Sequence, residues 1–223
     1  MKSRLLPAIA LLLLPFYAQA HYLWIESEND SEAKVYFGEY GERVREKAGG
    51  RLDERDKMEG QLVQQDETAS PLQFVKKPDH FVTQTGKAGW LLISDLTNEV
   101  KDWTKSDIGI VKPMFYARAA VANKPLADAK PALVLDIIPG AAHPQELQVF
   151  FNKKPLPKAK VIVTAPNQWM QELQCDADGR VKITTPWKGL YVVEVIYKER
   201  KRGQFNGVTY EAIRHRVTYS QNY

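Results

Sequence analysis

The chain has 223 residues, a formal net charge of +4 and a single cysteine, Cys175. So small an excess of positive charge argues against a nucleic-acid partner, and one cysteine excludes an intrachain disulfide. The length suits two small domains or one large β domain, and either can bury a core.

Residues 1–20 have the organisation of a cleaved secretory signal. A short basic start precedes an apolar run over residues 5–17, and Ala18-Gln19-Ala20 supplies small residues where a signal peptidase reads. That run is too short to cross a bilayer as a helix, and no later run is long enough. We therefore expect a periplasmic or secreted mature chain, without a membrane span, that begins at His21.

A histidine at a mature N-terminus has unusual metal chemistry. Its free amine and its ring Nδ1 can bind one metal ion together and close a six-membered chelate ring. Nitrogen donors of this kind suit Cu(II), with Ni(II) next in affinity. The amine must lose a proton to bind, and its reference pKa of roughly 7.7–8.0 makes that loss easy near neutral pH. The alternative interpretation is that some residue must follow a signal and that His21 does so by chance.

Short strand patterns dominate the first half of the mature chain. Residues 22–25 and 33–37 flank a polar turn and predict an opening hairpin. Residues 111–121 alternate as one long strand, with Met114 and Tyr116 on one face and Phe115 and Ala117 on the other, although their alanine content leaves a helix as the alternative. Three further strand-like pieces lie at residues 72–75, 80–83 and 90–94.

The segment from Gly38 to Gly60 is dense in charge and has few apolar residues. It predicts a solvated loop with a helical turn, because charge runs usually form wet surface. The functional alternative is a cation site built from Glu39 and Glu42.

The second half predicts a cleaner β-sandwich. Strand patterns separated by turn signals recur about every ten residues, at residues 133–138, 147–151, 160–164, 180–183, 189–195 and 210–219. A Pro-containing link at residues 123–131 predicts a boundary between an N-terminal β domain, 21–128, and an immunoglobulin/transthyretin-like sandwich, 129–223. Residues 21–129 carry 15 basic and 19 acidic groups, a net charge of −4. Residues 130–223 carry 14 basic and 8 acidic groups, a net charge of +6, so the two halves also differ in the sign of their charge.

Several short motifs, in their order along the chain, are similar to one family. They are His21-Tyr22-Leu23-Trp24-Ile25-Glu26, Phe37-Gly38-Glu39, Tyr116-Ala117-Arg118-Ala119, Leu135-Asp136-Ile137-Ile138-Pro139, Lys154-Pro155-Leu156, Asp176-Ala177-Asp178-Gly179-Arg180 and Pro186-Trp187-Lys188-Gly189-Leu190-Tyr191. The chain thereby resembles the DUF4198 family of exported proteins, often described as periplasmic components linked to nickel or cobalt uptake. The resemblance implies the compartment and the fold, and it implies a metal-ligating role for the histidine at the mature start, His21.

The remaining histidines are compared as second ligands. His80 follows a Pro-marked turn in the same half as His21, so we choose it as the second metal ligand. His215 lies on the apolar face of the last predicted strand and is expected to be a hydrogen-bonded core residue. His143 precedes a proline in a loop and is expected to be exposed.

Three functions compete on these residues. The first is a periplasmic protein that binds or delivers nickel, cobalt or copper and has a membrane transporter or outer-membrane receptor as its partner. The second is a non-catalytic β-sandwich of the cell envelope that binds a partner without metal. The third is an oxidative copper enzyme with a histidine brace, which needs two histidines. The sequence contains no nucleophile paired with a base, so we predict that the protein is not an enzyme.

Overall fold

The computed structural model describes residues 21–86, 88–127 and 129–223, so the predicted signal at residues 1–20 lies outside the described residues. The chain is mostly β and sandwich-like, which confirms the predicted fold class. The strands are β1 (Tyr22–Glu26), β2 (Glu32–Glu39), β3 (Val44–Arg45), β4 (Glu59–Val63), β5 (Ala69–Pro71), β6 (Val75–Lys76), β7 (Phe81–Gln84), β8 (Trp90–Asp95), β9 (Lys101–Trp103), β10 (Gly109–Ala120), β11 (Leu135–Pro139), β12 (Glu146–Phe151), β13 (Lys154–Pro155), β14 (Lys160–Thr164), β15 (Met170–Gln174), β16 (Arg180–Lys182), β17 (Leu190–Glu199), β18 (Gly203–Phe205), β19 (Val208–Tyr210) and β20 (Ala212–Asn222). Short 3₁₀ turns occupy Tyr40–Glu42, Arg51–Arg55, Thr104–Ser106 and Val121–Asn123.

Three sheets form the body of the described chain. The central sheet has the order β15-β14-β17-β20-β10-β8-β4-β5, with β9 also paired to β10. A second sheet has the order β1-β2-β7-β6 with β3 on β2, and a third has β11-β12-β13 with β16 on β12. The β10–β20 pair is parallel, whereas the neighbouring pairs β8–β10 and β17–β20 are antiparallel. Among the described residues, no helix is both long and apolar enough to cross a membrane.

Strand β10 is buried on both of its faces, in the alternation that the sequence predicts. Phe115 and Ala117 pack in a core with residues of β1, β2 and β8, whereas Tyr116 packs in a second core with residues of β11, β12 and β17. The β1–β2 sheet and the β11–β12 sheet therefore cover opposite faces of the central sheet, because successive side chains of a strand point to opposite sides. The result is two sandwich cores that share one middle layer.

The predicted boundary between residues 128 and 129 lies between β10 and β11. Strands from both sides of it enter the same central sheet, since β14, β17 and β20 join β10, β8 and β4 there. That each half is a separate folding domain stays a prediction.

The charged segment from Gly38 to Gly60 is not uniformly solvated. Leu52 is fully buried, and Arg55 is only 2% exposed because its guanidinium lies 2.6 Å from the buried carboxylate of Asp95 on β8. The predicted helical turn is the 3₁₀ turn Arg51–Arg55, which lies over the first core.

A buried ion pair joins the central sheet to the sheet that covers its second core. Arg118 of β10 donates from Nε and Nη2 to the two carboxylate oxygens of Asp136 on β11, at 2.8 and 2.7 Å. Asp136 also accepts the backbone N–H groups of Ala132, Leu133 and Ile137. Both side chains are at most 1% exposed, so the bidentate geometry and the additional hydrogen bonds are needed to offset their desolvation.

Replacing Asp136 with Asn should destabilise the protein by about 3–5 kcal/mol, because Arg118 would stay buried without a counter-charge. The matched control is Glu172→Gln, which breaks the surface pair with Lys160 whose members are both more than half exposed. That control should cost no more than about 1 kcal/mol. Urea unfolding measures both values, and similar losses in the two variants would contradict the importance assigned to the buried pair.

Candidate functional site

His21 is buried at the start of β1, with 8% of its surface exposed. Tyr22 pairs with Gly38 in the β1–β2 ladder, so His21 continues that ladder toward Glu39 at the end of β2. The carbonyl oxygen of His21 accepts a hydrogen bond of 3.3 Å from Arg216 of β20. Arg216 is itself paired with Glu194 of β17 at 2.8 Å, so the central sheet fixes the backbone at His21.

A carboxylate lies at each nitrogen of the His21 ring. Nδ1 is 3.0 Å from Oε1 of Glu39, and Nε2 is 2.5 Å from Oε1 of Glu46. The contact at Nε2 is a hydrogen bond. The contact at Nδ1 is not, because its alignment is unsuitable, and both Nδ1 of His21 and Oε1 of Glu39 are buried without a hydrogen-bond partner.

The turn after β2 brings Glu46 to the histidine. Gly38 has φ of +151°, and a Cβ there would lie 2.1 Å from the carbonyl oxygen of Val44, so only glycine lets β3 fold back against β2. The Glu46 N–H then donates to the carbonyl of Phe37 at 2.9 Å, and Tyr22 Oη accepts the N–H of Tyr40 at 2.9 Å. The Phe37-Gly38-Glu39 motif therefore positions both carboxylates.

The unpaired atoms at Nδ1 fit a metal ion. Two donors about 2.1 Å from a metal, at right angles to each other, are about 3.0 Å apart, which matches the Nδ1–Oε1 separation. A histidine that binds metal through one nitrogen usually donates its other N–H to a carboxylate, as Nε2 of His21 does to Glu46. In the part of the chain that the structure describes, no three His, Cys, Asp or Glu side chains form a metal-binding group, so a third donor must come from elsewhere, such as the amine of His21.

The structure does not bring His80 to His21. The His80 ring lies 5.1 Å from the ring of Tyr36, whereas the His21 ring lies 5.5 Å from that of Phe37. Tyr36 and Phe37 are successive residues of β2 and pack in different clusters, so the two histidines lie on opposite faces of that strand. His80 is instead within 2.6 Å of Asp79.

The other candidate residues lie apart from this site. His215 is buried between Tyr116, at 3.0 Å, and Glu199, at 3.1 Å, so it is the hydrogen-bonded core residue that the sequence predicts. His143 is exposed, as predicted. Glu42, which the alternative cation site grouped with Glu39, is exposed. The carboxylate that lies at the His21 ring together with Glu39 is Glu46. Sequence reasoning missed Glu46, because only the folding back of β3 brings it near His21.

Two comparisons with known proteins bear on this chain. A family model described as a domain of unknown function, DUF4198, matches residues 18–199. No curated protein matches the chain. The matched range includes His21, Glu39 and Glu46 and ends before β20.

The buried His215 should make the fold sensitive to acid. Burial lowers the pKa of His215 below its ordinary value of 6.5, although Glu199 opposes the shift. The unfolded chain therefore takes up this proton at a higher pH than the folded one, and stability is lost as pH falls below about 6.5.

Chemical unfolding of metal-free protein between pH 7.5 and 5 tests this prediction. His215→Gln should lose less stability over that range than the unchanged protein, whatever its stability at pH 7.5. Because the other three histidines are common to both proteins, their contribution cancels in the difference. Parallel pH curves would show that His215 does not govern the loss.

Proposed function

The chain belongs to the DUF4198 family, and from the geometry at His21 we propose that it is an exported protein that binds or delivers a transition-metal ion. The observation that carries the proposal is the buried pair of Nδ1 of His21 and Oε1 of Glu39, 3.0 Å apart and without hydrogen bonds. Buried polar atoms are almost always partnered, so such a pair favours a bound cation between them.

The donors proposed for the metal are the amine and Nδ1 of His21 and the carboxylate of Glu39. The amine is available only if cleavage follows Ala20, which links metal binding to export. Two nitrogens and one carboxylate oxygen suit Cu(II), Ni(II) or Co(II), with copper bound most tightly at equal availability. Glu46 would hold the ring in the tautomer that leaves Nδ1 free to bind. His80, on the opposite face of β2, has no part in this donor set.

The proposal also assigns a compartment and a partner. Residues 1–20 support export to the periplasm or beyond, and a protein that binds metal there would pass it to a membrane transporter or an outer-membrane receptor. The proposed donors lie at the N-terminal end of β1, which packs on the central sheet. A partner that exchanges the metal ion would therefore need to reach only that end of β1. The histidine-brace enzyme has less support, because Glu39 stands at Nδ1 and the described histidines do not meet.

A second candidate function is a partner-binding module of the cell envelope without metal. The observation that favours it is an exposed apolar patch at β15, the edge strand of the central sheet. Trp169 and Trp187 have ring centres 5.3 Å apart and are each about two-fifths exposed, and Met170 beside them is 58% exposed. Exposed aromatic groups of this kind are typical of protein contact sites.

The mature protein should begin at His21. Intact-mass measurement of protein exported by its own signal should give the mass of residues 21–223. A mature chain that begins at any other residue would remove the proposed amine donor and contradict the metal site.

Metal titration of that protein should show one tight site for Cu(II) or Ni(II). An added N-terminal glycine, which keeps the ring but displaces the amine, should weaken binding strongly, and Glu39→Gln should do the same. Glu46→Gln should weaken binding by roughly 10–100-fold, the range for carboxylates behind a metal-bound histidine. Titration calorimetry at constant pH measures all three.

The matched control is His80→Ala, which removes a histidine of the same half and should leave the affinity unchanged. Thermal unfolding of each metal-free variant checks that the fold persists. Equal affinities for the native and glycine-extended proteins would exclude the amine as a ligand. Absence of binding to the native protein would favour the partner-binding module.

A further inference from the structure

A small cavity adjoins His21 and is lined by a buried arginine that has no ion-pair or hydrogen-bond partner among the described residues. It is about 30 Å³ in volume and is lined by side chains that include His21, Trp103, Phe115 and Arg214. Arg214 is only 8% exposed. Its guanidinium lies 5.5 Å from the centre of the Trp103 ring and has no hydrogen bond or ion pair within the described part of the chain.

The polar contacts of β1 with β20 end one step before this arginine. The N–H of Ile25 donates to the Ser220 hydroxyl, the Thr218 hydroxyl donates to the carbonyl of Leu23, and Arg216 donates to the carbonyl of His21. Each step moves two residues along both strands, and the series ends at His21. Arg214 is the next residue of β20 on this face, beyond the last of these contacts.

The charges around the cavity leave an excess of positive charge. Arg55 is paired with Asp95 at 2.6 Å and with Glu54 at 3.2 Å. The nearest carboxylate oxygen to Arg51 is that of Glu46, at 3.8 Å. Lys101, also at the cavity, has no ion pair among the described residues, and neither has Arg214. Burial and repulsion from Arg216 lower the pKa of Arg214 to about 10, and the attraction of Glu194, which is itself paired with Arg216, only partly opposes them.

We propose that this cavity binds the carboxylate of a small organic acid, with Arg214 as its principal ligand. A guanidinium presents two parallel N–H donors that match the two oxygens of a carboxylate. A cavity needs roughly 10–15 Å³ to hold one water, and this one, at about 30 Å³, exceeds that volume and can admit the oxygens of a carboxylate. A phosphate presents polar oxygens on all sides and has no carbon atoms. The apolar walls of Trp103, Pro113 and Phe115 suit the carbon atoms of the acid.

This site does not rest on the proposed metal function, because Arg214 belongs to neither the proposed donor set nor residues 18–199. The two proposals can therefore fail separately. The test of the carboxylate site uses metal-free protein without added chelator, since common chelators are themselves carboxylates.

Thermal unfolding in sodium acetate, compared with sodium chloride at equal ionic strength, tests the proposal. Acetate should raise the melting temperature in a saturable way, as a ligand of the folded state does. Acetamide, the neutral analogue, and phosphate should not. Arg214→Met should abolish the acetate effect, and Arg214→Lys should reduce it, because an ammonium cannot form the paired contact.

The matched control is Arg202→Met, which removes an exposed arginine elsewhere and should keep the full acetate response. If Arg214→Met fails to fold, ¹³C-acetate saturation-transfer NMR on the unchanged protein and on Arg214→Lys gives the same comparison. No acetate response in the unchanged protein, or a full response in Arg214→Met, would overturn the proposal. An equal response to phosphate would replace the carboxylate site with an unspecific cationic surface.

Discussion

The middle strands of the central sheet are covered on both faces, so a charged side chain buried there needs a partner inside the protein. Arg118 meets Asp136 in two hydrogen bonds, and Arg216 meets Glu194. Lys112 of β10 donates to the carbonyl of Leu96 and lies 3.7 Å from the ring centre of Phe205. Such partners are required because an unpaired charge in a low-dielectric interior is costly. Arg214 is only 8% exposed, yet it has neither a hydrogen bond nor an ion pair among the described residues, and it lies beside a cavity.

The same constraint explains how the first strand is held. β1 lies on the face formed by β10 and β20, and its backbone is bound to β20 by hydroxyl and guanidinium groups that alternate with apolar residues. Polar side chains on a covered face are satisfied by the backbone of the strand that covers them. This arrangement fixes His21 at the start of β1, where its ring is buried.

The proposed metal site and the proposed carboxylate site are neighbours, because both lie at the end of β1, where its contacts with β20 stop. At His21 the buried polar atoms that lack partners are a ring nitrogen and a carboxylate oxygen, which favour a cation. At Arg214 the buried group that lacks a counter-charge among the described residues is a guanidinium, which favours an anion. Opposite charges are therefore proposed to bind on either side of one histidine, and each is inferred from a different unsatisfied group.

The sequence by itself determined the mostly β class, the two-faced alternation of β10, and the core position of His215, because each depends on the period of apolar residues along one strand. It also named His21 and Glu39 as candidate ligands, since a histidine after a signal and a carboxylate after a strand are visible locally. It placed them in two separate hypotheses, with His80 as the second ligand of His21 and Glu42 beside Glu39 in an alternative cation site. The structure instead places Glu39 and Glu46 at the His21 ring and His80 on the opposite face of β2. Local sequence patterns could not show this, because residues 21, 46, 80 and 214 are far apart along the chain. Only the tertiary structure decided that β3 folds back at Gly38 to bring Glu46 to the ring, and that β20 runs parallel to β10 and brings Arg214 beside it. The reason is physical: local patterns fix which face of a strand is buried, but the register between distant strands fixes which side chains meet.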